Sequence, residues 1–562
     1  MNKGKDILSV ENIAKMDMEK SKQFFFVGGV PVFDYMIDVE QDEIVRNTQN
    51  KAMFMDTKLF LPVGTILTGK TDTGEEIAIN PFACADLMEI GGKHFYSLEF
   101  GGKQRQSRDI ELAGSVDQVV GEMIEKIPDL IKSEKDIIKV EIKRPVKISL
   151  GGNNKNIIAA IASIYSSYGV PSLIDKISMF HPIFFDTGLE LWNILQAEYG
   201  KLKVNTGDIE DVHIQGLVPR KGYVITVVKP DGTRHDRTIL SNRTNEEKIG
   251  QERLLNRYQA IEKLLYESSK ETDTYLVLNS LTNPEELRLV LHLLQVAYAM
   301  QVDTFFCLSN TFLNCASELV SSKSYFRRRM LRWFESPKEL IERRVLPYTS
   351  HMILNREELT SLEPGIEIKG LERCMLEIAR SMNHGRASFS VAGGKLLVSD
   401  GRRGVKLAEL LAREDAEVFW EKCNLGPFNG FKYAERIIST GDDNVIKFVS
   451  TLGAGDTFTG IFIGLAALGW DMGHAMRAAT LGAQYFIKTR KLPRLSDLVS
   501  LDNEHTRCGT FGRLKDSLFF HMDGDGVLTR YGAIAEKTNA MHTNQLHRPF
   551  SDIVKHYCGE CK

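Results

Sequence analysis

The chain has 562 residues, 43% of them apolar, and a formal net charge of -3. That size allows a large buried core in one big domain with appended elements, and the near balance of charge excludes bulk attraction to nucleic acid or to an anionic membrane surface. No apolar run is long enough to span a bilayer, and the eight cysteines are scattered, mostly in apolar surroundings such as Phe305-Phe306-Cys307, so they read as reduced packing residues of a cytoplasmic protein.

In chain order, residues 1–22 are rich in Lys, Asp and Glu without a sustained apolar stretch, and read as an N-terminal extension that is not a secretory signal. Phe24-Phe-Phe-Val27 predicts an apolar strand broken at Gly28 and Gly29, with Asp34 just beyond. Strand ends of open parallel sheets are where ligands usually sit. Residues 52–108 are strand- and turn-rich and predict a β-rich lid over the sheet's C-terminal edge. Lys147 to Leu150 is a short strand running into a Gly151-Gly152 turn, and Ile157 to Tyr168 is an Ala- and Ile-rich helical pattern. The two glycines permit close backbone approach, and Asn156 can both donate to and accept from a polyol.

Gly222 to Val228 and Thr233 to Leu240 are strand-like runs about the turn Lys229-Pro-Asp-Gly232, a hairpin suited to a flap. From about Val146 onward strand-like runs alternate with helical patterns, which predicts parallel βαβ units. Examples are 275–278 before a helix near 285–300, 304–308 before 315–321, and then 351–354. Asn355 and Glu358 stand three apart directly after that last strand, a spacing that suits hydrogen bonding to metal-bound water at the start of a helix.

The densest signal is Thr451-Leu-Gly-Ala-Gly-Asp-Thr-Phe-Thr-Gly460. Gly453, Ala454 and Gly455 lack bulky side chains, so the backbone can turn tightly and aim several N–H groups at one point. The apolar run from Ile461 to Leu468 predicts a buried helix starting there, and a helix N-terminus with free N–H groups is a ready anion site. Asp456 falls in its first turn, where the helix dipole favours the carboxylate, and a hydroxyl held between it and the amides could lose its proton while attacking phosphorus. Taken alone, the segment reads more readily as a glycine-rich turn whose acidic residue caps a core helix.

Three weaker signals have bland readings. Tyr325 to Phe334 mixes aromatics and arginines and fits a solvated amphipathic helix better than a phosphate site. Cys558 and Cys561 with His556 are zinc-ligand types but lack the second half of a structural site. Phe519-Phe-His-Met-Asp523-Gly-Asp525 looks like the opening motif of haloacid-dehalogenase-type phosphatases, yet too little chain follows to house the rest of that fold, so a hairpin turn is the better reading. Composition turns polar and irregular after about Ser500, which makes 500–562 a C-terminal extension.

In this order the motifs resemble the ribokinase or PfkB family of carbohydrate and nucleoside kinases. Gly453-Ala-Gly-Asp456 is similar to the family's closing signature, Gly151, Gly152 and Asn156 to its opening glycine pair with a downstream Asn, and Asn355 to Glu358 to its Asn-x-x-Glu element. Asp34 is similar in placement to its first-strand substrate Asp, and Asp231-Gly-Thr-Arg234 to its lid pattern. The resemblance covers about residues 24–495. It implies an α/β fold, a doubly wound central sheet flanked by helices with a β-rich lid, as a kinase domain over 23–499 with lid insertions at about 41–145 and 215–245. The implied activity is Mg²⁺-dependent transfer of a terminal phosphoryl group from ATP or ADP to a hydroxyl of a sugar, sugar phosphate or nucleoside. By the same resemblance Asp456 is the base, Gly453, Ala454 and Gly455 form the anion hole, and Asp34, Gly151, Gly152 and Asn156 hold the substrate. Glu358 and Asn355 then serve the metal, through water.

The long spacings before Gly151 and before Asn355 resemble the ADP-dependent glucokinases and phosphofructokinases of the same superfamily. Against that branch, no His-x-Glu element precedes Asn355, and Gly453-Ala-Gly-Asp456 is the ATP-type spelling, so the donor stays open. Lids of this family often pair, which leaves room for a homodimer through the lid. The alternative class is a catalytically inactive nucleotide- or sugar-binding protein of the same fold, acting through partner contacts on its insertions and tail.

Overall fold

The computed structural model describes residues 21–29, 32–55, 58–100, 104–107, 110–167, 174–180, 193, 197–198, 200–202, 204–205, 220–233, 237–242, 251–281, 284–321, 336–382, 394–412, 433–440, 453–470, 472–508, 515–522 and 528–530. Arg234, the 325–334 segment, Asp523, Asp525, His556, Cys558 and Cys561 lie outside them.

The strand Lys22–Val27 is the pivot of the main sheet. It pairs in parallel with Ile174–Phe180 on one side and Asp273–Leu278 on the other. Beyond the first neighbour lies Val204–Asn205, and beyond the second lie Asp303–Cys307, His351–Asn355 and Lys395–Ser399, all parallel. A strand buried on both faces has to be apolar throughout, which is why this segment reads Phe-Phe-Phe-Val. Phe24 and Phe26 enter one core with Ile161, Tyr165 and Phe462, whereas Phe25 and Val27 enter the opposite core with Ile261, Leu265 and Leu294. Helices thus cover both faces, the doubly wound α/β arrangement expected from the alternating pattern. After Lys395–Ser399 the sheet continues antiparallel through Val405–Ala412, Tyr433–Thr440, Lys515–Met522 and Leu528–Arg530. The chain beyond residue 500 therefore supplies edge strands to the same sheet.

A separate sheet, the candidate lid, has five strands in the order Lys147–Gly151, Val32–Glu40, Lys221–Val228, Thr238–Ser241 and Gln104–Gln106, so of the 52–108 segment expected to form a lid only Gln104–Gln106 joins it. Along Val32–Glu40 burial alternates strictly. Phe33, Tyr35, Ile37 and Val39 go into the core, and Asp34, Met36, Asp38 and Glu40 share the other face. The predicted hairpin is present as the antiparallel pair 221–228 and 238–241, with Gly232 N–H closing the turn onto the Lys229 carbonyl at 2.9 Å. The strand-rich segment that follows forms two further four-stranded sheets, one from Met53–Met55, Lys58–Pro62, Lys93–Glu99 and Asp86–Ile90, the other from Ala113–Gly114, Glu76–Ile79, Thr65–Lys70 and Ile138–Glu141. Helix Val116–Lys126 closes a small core of its own over Ile66 and Ala78. Among the described residues no helix is long and apolar enough to cross a membrane.

Two core helices, Asn153–Ser167 and Ala454–Ala467, pack through small residues. A Cβ on Gly460 would overlap the Ile157 carbonyl and lie 2.6 Å from Ala160 Cβ, while at Gly464 it would make ordinary contact with Tyr165 at 3.6 Å. The backbones approach as closely as they do only because position 460 is bare. Gly460→Ala is expected to cost about 1–3 kcal/mol of stability, as overpacked core positions do, read as a lower urea midpoint at unchanged m-value. A midpoint equal to the parent's would show that the seam tolerates a methyl group.

Candidate active site

The C-terminal ends of the parallel strands open into a cavity of about 510 Å³ whose walls include Asn279, Cys307, Asn355, Glu358, Ser399 and Asp456. It lies beyond the carboxyl ends of Asp273–Leu278, Asp303–Cys307, His351–Asn355 and Lys395–Ser399, the end of an open α/β sheet at which ligands bind. The break after this strand is tightly made. Asn154 donates to the Gly28 carbonyl at 2.5 Å and accepts from Asn279 Nδ2 at 3.0 Å, and a Cβ on Gly29 would fall 2.7 Å from the Asn154 amide.

Helix Ala454–Ala467 begins at the cavity wall. Gly453 is its N-cap in the left-handed region, φ 79°, a conformation that favours glycine, and no side chain caps the helix. The first helical bonds run from Thr457, whose N–H and hydroxyl reach the Gly453 carbonyl at 2.9 and 2.8 Å. The amides of Ala454, Gly455 and Asp456 come before that bond and so have no acceptor within the helix. Asn156, one turn into helix Asn153–Ser167, donates from Nδ2 to Asp456 Oδ2 at 2.9 Å. Two helix starts thus meet, carrying residues that the sequence pattern singled out separately. Burial pushes the Asp456 carboxyl up to about 6, against the Asn156 hydrogen bond and the charge of Arg237, which hold it down. The helix dipole expected to favour its ionised form is therefore outweighed by desolvation, leaving a carboxylate that is mostly ionised at neutral pH yet basic enough to take a proton.

Asp34 sits on the middle of the lid sheet between two glycines. Gly222 is its register partner on one neighbouring strand, and Gly151 lies two residues beyond its partner Ser149 on the other. A Cβ on Gly151 would overlap Asp34 Oδ2, and one on Gly222 would lie 2.7 Å from Oδ1. Gly151, expected to touch substrate, thus makes room for the carboxylate. Gly152 is the link between that strand and helix Asn153–Ser167. Burial first and the negative charge of Asp456 second raise Asp34 to about 7, opposed by Lys155, Arg237 and Arg220.

Asn355 and Glu358 line the cavity's other side and lock each other in a capping box. Glu358 N–H donates to Asn355 Oδ1 at 2.9 Å, and Asn355 N–H donates to Glu358 Oε2 at 2.8 Å. Burial raises the Glu358 carboxyl to about 7 despite that backbone hydrogen bond. The second oxygen of a carboxylate fixed in this way is suited to the water shell of a Mg²⁺ ion, which keeps several waters and needs only one or two protein carboxylates. Among the described residues there is no group of three or more His, Cys, Asp or Glu side chains that could hold a metal ion.

Four residues of this site lay outside the sequence reading. Asn154 and Asn279 knit the turn after the first strand, Gly222 clears Asp34, and Arg237 acts electrostatically on both Asp34 and Asp456.

Among solved structures, the chain is similar to Anopheles gambiae adenosine kinase in complex with P1,P4-di(adenosine-5) tetraphosphate, at 13% identity and TM-score 0.42 over 84% of this chain and 98% of that chain. It is similar to Arabidopsis thaliana ribokinase complexed with ribose and ATP at 12% identity and TM-score 0.41, over 86% of this chain and 98% of the other. A third likeness is to phosphofructokinase-2 from Escherichia coli, at 13% identity and TM-score 0.42 over 86% and 99%. These are kinases of the ribokinase/PfkB kind, matched over most of the chain at low identity. No family model and no curated protein matches the chain in sequence.

The buried carboxylates carry a pH signature. Between the ordinary Asp value, 3.8, and about 7 the unfolded chain has lost the Asp34 proton while the folded chain retains it, so folding stability declines as pH rises through that window. Asp34→Asn removes this penalty and is expected to stabilise the protein by on the order of 1–3 kcal/mol at pH 8, with the gain vanishing near pH 4. Thermal melts of parent and variant at both pH values check it; an equal gain at the two would assign the effect to packing instead.

Proposed function

We propose that the chain is a cytoplasmic phosphotransferase that moves the terminal phosphoryl group of ATP or ADP to a hydroxyl of a sugar, sugar phosphate or nucleoside. The observation that carries this reading is the meeting of Asn156 and Asp456 at the opening of an uncapped helix, with Asp34 within electrostatic reach. In this reading the acceptor hydroxyl sits between Asp34, which hydrogen-bonds a neighbouring hydroxyl, and Asp456, which takes its proton as the O–P bond forms. The bond from phosphorus to the leaving nucleotide breaks in the same displacement. The amides of Ala454 and Gly455 face the phosphoryl oxygens, where preorganised donors are worth most because they need no reorganisation during the reaction. Glu358 and Asn355 would hold a Mg²⁺ ion through its waters, and the ion would neutralise charge on the transferring and leaving phosphates. The catalytic unit starts near residue 23 and extends past 499 to include the edge strands Lys515–Met522 and Leu528–Arg530, and in this reading the insertions near 41–145 and 215–245 close over the acceptor and exclude water.

Asp456→Asn is expected to lower turnover by about 10² to 10⁴, the range for loss of a general base, while nucleotide affinity changes little. Nucleotide consumption over a panel of sugars, sugar phosphates and nucleosides, with ATP and ADP side by side, reads both. A variant as active as the parent removes Asp456 from the mechanism, and nucleotide binding without consumption across the panel would favour a non-catalytic binding protein. The base must be ionised to act, so kcat/KM of the parent is expected to rise with pH through about 6 and then level, a profile that initial rates between pH 5 and 8 would display.

A further inference from the structure

The strands that open into the candidate active site at their carboxyl ends open into a second cavity, of about 420 Å³, at their amino ends. We infer that this cavity is a separate ligand site for a small hydroxylated anion, a carboxylate or a phosphate ester, whose charge is received by Lys395. Such a site is independent of the phosphotransferase reading.

The floor of the cavity follows from alternation along the strands. Asp273, Asp303, His351 and Lys395 each begin a parallel strand and share the face on which Val277, Phe305, Ile353 and Leu397 enter the main core. Two residues beyond that apolar row, Asn279, Cys307, Asn355 and Ser399 line the active-site cavity. One row of core side chains therefore divides the two spaces, and His351 stands four residues of strand, about 13 Å, from Asn355. Helix Ala454–Ala467 borders both, with Asp456 in the wall of one and Ala466 in the wall of the other. The flank formed by Ser269, Thr272 and Asp273 is rich in acceptors. Thr272 and Ser269 have backbone acceptors for their hydroxyl protons, the carbonyls of Ser268 and Tyr266, both at 3.1 Å, which leaves their oxygens able to accept. Asp273 is neutralised by the buried Lys22 at 2.5 Å, but a carboxylate has about four lone-pair sites and one partner does not exhaust it. Such a flank suits the hydroxyl groups of a ligand. Lys395 supplies the opposite need. Its backbone N–H is fixed by the Ser350 carbonyl at 3.0 Å, and its register partner His351 lies flat against the Phe305 ring at 4.4 Å. Among the described residues its half-buried ammonium has neither an ion pair nor a hydrogen bond. Charges withdrawn from water are normally paired, and a ligand anion completes this one.

Lysine acylation followed by peptide mass spectrometry tests this on the full chain without any turnover. Gluconate, glucose 6-phosphate and neutral glucose are compared at millimolar concentration. At least one of the two anions is expected to slow acylation of Lys395 several-fold, while the exposed Lys58 and Lys70 react as before and glucose protects nothing. Protection by gluconate alone or by the phosphate ester alone names the anion. Calorimetry with Lys395→Gln is expected to show a loss of about tenfold in affinity for the protecting anion, as one charge-assisted hydrogen bond allows, and Lys395→Arg to retain most of it. Protection is also expected to persist in Asp34→Asn, which alters the proposed acceptor site. No protection by either anion, equal protection by glucose, unchanged affinity in Lys395→Gln, or protection that vanishes in Asp34→Asn overturns the inference. Should Lys395→Gln fail to fold, acylation of the parent and of Asp34→Asn still decides. None of these outcomes depends on nucleotide consumption, so the site and the phosphotransferase reading stand or fall separately.

Discussion

The close approach of helices Asn153–Ser167 and Ala454–Ala467 is the constraint on which the site depends. One hydrogen bond between Asn156 and Asp456 contributes about 1 kcal/mol net, too little to hold two helices at a fixed separation. The packing of Gly460 against Ile157 and Ala160 and of Gly464 against Ile161 and Tyr165 does that, and it lies in the main core. The polar pair inherits its geometry from apolar contacts one and two turns below it. Chemistry at the helix starts is therefore as rigid as the interior, where small volume changes are felt.

Electrostatically the site works against the fold. Asp34, Asp456 and Glu358 are all pushed above the usual carboxylate range, chiefly by burial, and Asp34 is pushed further by Asp456. Cys307, on the cavity wall between them, has its thiol pushed up by burial and by the charges of Asp456 and Glu358, so it is a neutral packing group and not a nucleophile. Acids raised in this way oppose ionisation in the fold, and a cation or a proton donor beside them would relieve that cost. That places the cost of the site on folding and the benefit on binding, the pattern expected of functional sites.

Much of this was legible in the sequence because its signals are local. A fully apolar Phe24–Val27, strand and helix alternation after Val146, and a glycine-rich start to an apolar helix each follow from a few consecutive residues. Asp456 and Asn156 were singled out on such grounds, as were Asn355 and Glu358, whose capping box spans a single turn. What escaped is set by pairing between distant strands. Gly222 reads as an ordinary strand start until register places it under Asp34, and Gly151 reads as a ligand contact until the same register fills its missing side chain with that carboxylate. Arg237 follows three residues after the more conspicuous Asp231-Gly-Thr-Arg234 and gains meaning only from the face it shares. The strands after residue 500 escaped for a similar reason, because an outer antiparallel strand needs apolar residues on one face at most, and composition alone does not flag it.

The separation of 300 residues between Asn156 and Asp456 also has a temporal side. At ribosomal rates of about 5–20 residues per second, roughly 15–60 seconds pass between the emergence of one and the other. Through that interval Ile157, Ile161 and Tyr165 lack the glycine-bearing helix that packs on them, although Phe24 and Phe26 of the same core are already made. A site assembled from segments this far apart in the chain can close only late in synthesis, once residues near 456 have emerged.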